Sequence, residues 1–131
     1  MTRGILWVSS QIENRDALTP EKFCEWYEDT HVQEVLALPG FPSASRWQIV
    51  VPGSSSTDAQ STRPPWLTVF EMRDIAYKDS PAFQAVHNQV PPLELIQQVY
   101  AHVGFDIRFY EEVSCVEKPG VGSEPGQLLV S

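Results

Sequence analysis

The sequence predicts an α+β fold in which a four-stranded antiparallel sheet carries its helices on one face. Three observations lead there. Strand-patterned and helix-patterned segments follow one another in the order β-α-β-β-α-β. The two main helical segments open on a capping residue followed by proline, Thr19-Pro20 and Ser80-Pro81. They close at Pro39-Gly40 and Pro91-Pro92. A length of 131 residues, 42% hydrophobic and 20% charged, suits one domain able to bury a sizeable core.

Gly4 to Gln11 reads as the first strand, and its unbroken apolar run Ile5 to Val8 fits a strand covered on both faces. The polar stretch from Glu13 to Leu18 leads into the first helix, where Glu21 adds negative charge that the helix dipole favours. Pro39 and Gly40 end this helix near Leu38. At about 100° per residue, Phe23, Tyr27, His31 and Val35 share its inner side, with Glu34 also turned inward. Ser43 to Val51 is the second strand, with Ser45, Trp47 and Ile49 on one face and Ala44, Arg46 and Gln48 on the other. Residues 52–65, rich in Ser and Thr, form a surface loop longer than two packed strands require, expected to be mobile.

Trp66 to Met72 is the third strand. The second helix places Phe83, Val86, His87 and Val90 at helical spacing, and Leu93 to Tyr100 makes another short helix. Phe105 to Val113 is the last strand, with Phe105, Ile107 and Phe109 opposite Asp106, Arg108 and Tyr110. This order is that of a ferredoxin-like unit. The expected domain is 1–116, and 117–131 is a tail that hangs free or reaches across a partner. Helices can cover only one sheet face, and the other still carries large apolar residues, so a second copy is expected to cover it in a homodimer.

A formal net charge of −8 argues against nucleic acid and anionic membrane surfaces as partners. The opening residues lack the pattern of a secretion signal, and no stretch has the ~20 apolar residues of a membrane span, so a cytoplasmic location is expected. Cys24 and Cys115 are far apart and without metal-type spacing, and both are expected to be reduced.

Phe23-x-x-Trp26-Tyr27-x-x-x-His31, then Leu38-Pro39-Gly40-Phe41 and Ser45-Arg46-Trp47, resembles the EthD-type proteins of the dimeric α+β barrel superfamily. The opening Gly-Ile-Leu-Trp-Val-x-Ser and the late Phe-Asp-Ile-Arg-Phe-Tyr-Glu are similar to a fungal branch. The resemblance covers about the first 113 residues and implies a small homodimer. Relatives include cofactor-independent monooxygenases, polyketide cyclases, decarboxylases, lactone isomerases and haem-handling enzymes. Fungal members accompany aromatic polyketide pathways. Relatives have a shorter link between the second and third strands, so the 52–65 loop is a lid or an insertion.

His31 is the leading candidate for chemistry, a general acid or base in an otherwise apolar stripe; its plainer role is a core histidine satisfied by a carbonyl. Tyr27, one turn earlier, would orient it or donate a proton, or simply pack. Arg46 and Arg108 suit the holding of a substrate carboxylate or enolate by a guanidinium fork. Asp106 and Tyr110 join them as substrate-binding candidates; the plainer reading is an Asp–Arg pair that pins strand register. Trp7, Trp47 and Trp66 would form a flat apolar wall for an aromatic substrate. His87 packs or supports the site; in haem-degrading relatives a histidine from that region ligates iron. A zinc site from His31, His87 and His102 lacks ligand spacing, and no nucleophile motif or phosphate loop is present.

The expected function is cofactor-independent proton transfer on an aromatic or polyketide-like small molecule, with no metal. Decarboxylation, dehydration or ring closure would follow, making a lyase or isomerase/cyclase. A monooxygenase of the same fold, cofactor-free or haem-dependent, and a non-catalytic binding or stress-response dimer are the alternatives.

Overall fold

A computed structural model describes residues 1–50 and 64–119. Strands β1 (Gly4–Ile12), β2 (Ser43–Gln48), β3 (Trp66–Met72) and β4 (Val103–Glu111) form one antiparallel sheet in the order β2-β3-β1-β4. The helices lie on one face, which is the ferredoxin-like arrangement. Alternation fixes the two faces. Leu6, Val8 and Ser10 of β1 point to the helices with Trp66, Thr68 and Phe70 of β3 and are all buried. Across the ladder, Leu6 pairs with Phe109 and Val8 with Ile107, so odd-numbered residues of β4 face inward.

The segment 20–36 is one helical run broken in the middle. It consists of α1 (Pro20–Trp26), a π turn (Tyr27–His31) and α2 (Val32–Leu36). Thr19 caps the start, its Oγ1 accepting from Lys22 N–H at 3.3 Å. In the π turn the Val32 N–H reaches back five residues to the Tyr27 carbonyl. That extra residue shifts the inward stripe, so Phe23 and Tyr27 are followed by Val32 and Val35, all buried. His31 is turned to the edge of that stripe, half-buried, and Glu34 is exposed rather than inward.

Gly40 lets the chain pass close over Tyr77, where an added Cβ would meet the ring at 2.3 Å. Phe41, buried, then packs against Phe70, Tyr77 and Phe83. A 3-10 turn (Ile75–Asp79) capped by Asp74 leads to α3 (Pro81–His87), capped by Ser80. α4 (Leu93–Gln98) and a short 3-10 turn (Tyr100–His102) complete the helical layer.

Several expected boundaries move. α3 ends at His87, leaving Val90 outside it and exposed. β2 stops at Gln48, and β4 begins two residues early at Val103, extended by a Glu13 N–H bond to the His102 carbonyl at 2.7 Å. The apolar run in β1 is not sealed on both faces of the chain, since Ile5 and Trp7 are only half-buried on the helix-free side. The loop assigned to 52–65 falls almost wholly outside the described residues, as does the tail beyond residue 119. Among the described residues no helix is long and apolar enough to cross a membrane, and Cys24 and Cys115 are free.

Candidate functional site

Between the sheet and its helices lies a cavity of about 210 Å³. Leu6, Val8 and Phe70 floor it, while Val35, Phe83 and Phe105 supply its walls. Its polar lining comes from His31, His87, Gln89 and Tyr100, and among the described residues no Lys, Arg, Asp or Glu lines it. An apolar pocket with a few convergent polar groups is the usual form of a small-molecule site.

The π turn sets His31 in place. Its ring stacks on Trp26, five residues back, with centroids 5.3 Å apart and planes at 18°, a spacing that an uninterrupted α-helix would not bring face to face. Tyr27 meets the same ring edge-on at 5.0 Å. Burial pushes the imidazole below its ordinary range, because the charged form loses hydration. Among the described residues no side chain hydrogen-bonds the ring. His31 is therefore a desolvated imidazole on the lining of the cavity.

Tyr27 stands behind His31 and does not line the cavity. Its side chain is fully buried, and its hydroxyl, close to Thr68, makes no well-formed hydrogen bond there. Burial raises its phenol above the usual range, with Thr68 and Arg46 opposing the shift. Tyr27 packs against His31 and is kept from the cavity by it.

Arg46 points to the helix side, not to an open strand face. Its guanidinium lies 4.4 Å from the centre of the Tyr27 ring, and Nη1 donates to Thr68 Oγ1 at 3.1 Å. Its Nε lies 3.5 Å from Glu28 Oε2, an ion pair that leaves Nε without a hydrogen bond. Arg46 also donates weakly to Cys24 Sγ at 3.5 Å, and burial nonetheless raises that thiol, with Arg46 opposing. Arg46 is thus engaged away from the cavity.

Arg108, Asp106, Tyr110 and Trp7 come together on the opposite, helix-free face. Arg108 is held by Asp106 at 2.9 Å and lies 5.4 Å from the Trp7 ring, which Tyr110 meets edge-on at 6.3 Å. The Asp–Arg pair joins residues two apart on one strand, so it does not pin strand register. The expected wall of three tryptophans is also overturned. Trp66 is buried on the helix side against Phe23 at 5.3 Å, whereas Trp7 and the exposed Trp47 lie on the other face. Strand parity separates them.

His87, expected on a packed stripe, is exposed at the cavity rim and stacks on Phe83 at 5.3 Å with planes at 19°. His102 does not line the cavity, and no group of three metal-ligating side chains occurs among the described residues. Gln89 and Tyr100 line the cavity and Trp26 backs His31, none of them marked as a site residue by a local sequence signal. Burial raises the Tyr100 phenol, helped by nearby Glu34 and Tyr27. Trp26 sat within a motif, but only a break in helical periodicity could have paired it with His31.

No family model matches the chain, and no curated protein matches it in sequence. A dimeric ferredoxin-like protein from an uncultured marine organism superposes with a TM-score of 0.58 at 16% identity, covering 88% of this chain and 100% of that one. HapK from Hahella chejuensis superposes at 0.56 and 14% identity, covering 89% and 99%. An EthD family protein from Bacillus halodurans reaches 0.47 at 15% identity over 82% and 97%, too loose a superposition to reason from. Identities this low show the fold alone, which is the ferredoxin-like one expected.

Proposed function

We propose that the protein is a cofactor-independent enzyme that transfers protons within its sheet–helix cavity, with His31 as general base and an aromatic or polyketide-like molecule as substrate. The observation that carries this is His31 itself: a desolvated imidazole facing an aromatic-walled cavity of about 210 Å³. Burial keeps the base unprotonated into mildly acidic conditions, and aromatic walls suit a planar ring. Dehydration, ring closure or decarboxylation is the outcome, placing the enzyme among lyases or isomerases/cyclases. The chain works as a homodimer whose second copy covers the face bearing Trp7 and Trp47; a marine structural neighbour is described as dimeric.

The test needs no knowledge of the natural substrate. 5-Nitro-1,2-benzisoxazole is a neutral bicycle that a base opens by removing one carbon-bound proton. The wild-type protein should accelerate this opening, with activity persisting below the ordinary imidazole pKa of about 6.5. General bases contribute about 10²–10⁴-fold, so His31→Asn should lower kcat by that order while the melting temperature stays within a few degrees. Lost stability with full activity per folded molecule would return His31 to the core.

A further inference from the structure

We propose that His87 is a second catalytic residue of the cavity, the general acid that protonates an oxygen leaving as His31 takes a proton from carbon. This rests on the reading above and deepens it. The two imidazoles come from different segments, His31 from the π turn and His87 from the last residue of α3, yet both face one small space.

The other polar groups of the lining suit the task less well. Gln89 has no proton to exchange. Tyr100 holds its proton more tightly than a free phenol, because burial and Glu34 disfavour the phenolate. Arg46 and Arg108 lie outside the cavity, and Tyr27 faces His31 from behind it. Glu34 is exposed. His87 stacks on Phe83 and is itself exposed, so a proton spent there can be replaced from water. One imidazole is desolvated and the other open to water, so the two can take opposite parts in a single step.

The step balances without an oxidant or reductant. His31 accepts a proton from carbon, and the C–H electron pair forms a new π bond. The bond to the leaving oxygen breaks with its electron pair going to oxygen, which takes the proton from His87. His31 ends protonated and His87 neutral, and solvent returns the proton from one to the other.

A histidine in the last turn of a helix also favours the helix dipole, so the experiment must separate chemistry from structure. The full chain and its His87→Gln variant are assayed on 5-nitro-1,2-benzisoxazole and on unsubstituted 1,2-benzisoxazole. The nitro group stabilises the departing phenolate, which then needs little acid, whereas the unsubstituted phenolate needs more. His87→Gln should slow the unsubstituted substrate by about tenfold or more and the nitro compound by about threefold or less. Imidazole added to the buffer should restore much of the lost rate through the open rim. An equal loss on both substrates, or no loss on either, overturns the acid role while leaving His31 as base. Absence of any His31-dependent turnover in the wild type overturns the proton-transfer reading together with this one.

Discussion

Each face of the sheet carries an arginine laid over an aromatic ring, and the two are worth different amounts. On the helix side Arg46 lies over Tyr27, donates to Thr68 and is 17% exposed. On the other face Arg108 lies over Trp7, pairs with Asp106 and is 57% exposed. A desolvated guanidinium gains more from a ring and a hydroxyl than one that water and salt can screen. The aromatic residues divide in the same way. Phe23, Tyr27 and Trp66 interlock in the core, while Trp47 and Tyr110 stand exposed. Residue type alone does not set a role here; the layer that covers the residue does.

The sharpest way to break this contrast is to truncate one ring from each face. Phe23 is wholly buried against Tyr27, Trp66 and Phe105, so Phe23→Ala should cost about 3–5 kcal/mol in denaturant unfolding. Trp47→Ala should cost little within one chain; in the proposed dimer it should weaken self-association, a loss that fades on dilution to monomers. Sedimentation should show that variant dissociating at concentrations where the wild type remains paired. A concentration-independent loss as large as that of Phe23→Ala would make the helix-free face part of the single-chain core.

The arginines give a smaller and more selective comparison. Arg46→Met removes a half-buried hydrogen bond and a ring contact, and should destabilise by about 1–3 kcal/mol. Arg108→Met breaks an exposed pair and should cost about 0–1 kcal/mol. Thermal melts of the two variants at one protein concentration decide the matter. Equal effects would mean that solvent screening does not distinguish the faces.

The smallest effect concerns pH. Burial lowers the His31 pKa in the folded state, so on acidification through about pH 6.5 the unfolded chain binds a proton that the folded chain resists. The unfolded state then holds more protons, and stability declines as pH falls towards the folded pKa. Above that window the contribution is complete. His31→Asn should flatten this decline, measured by denaturant unfolding between pH 7.5 and pH 5 as about the working range. An unchanged slope would show that His31 is hydrated in the folded protein.

The fold was legible in the sequence because its signals are local. Thr19-Pro20 and Ser80-Pro81 cap helices in the structure as they promise to, and period-two alternation in Trp66–Met72 survives as alternating burial. Within the site, His31 stood out as a titratable ring among apolar residues, and it does line the cavity. Tertiary structure decided the rest. The π turn displaced His31 from the centre of the buried stripe to its edge and set it against Trp26, a rotation that uniform helical spacing cannot express. Strand pairing sent Arg46 and Trp66 to one face and Arg108, Trp7 and Trp47 to the other. Alternation tells which residues of a strand share a side but not which side meets the helices. The packing of α3 against the sheet brought His87 to the same cavity as His31 across 56 positions of chain, counted from 31 to 87, which no local pattern records.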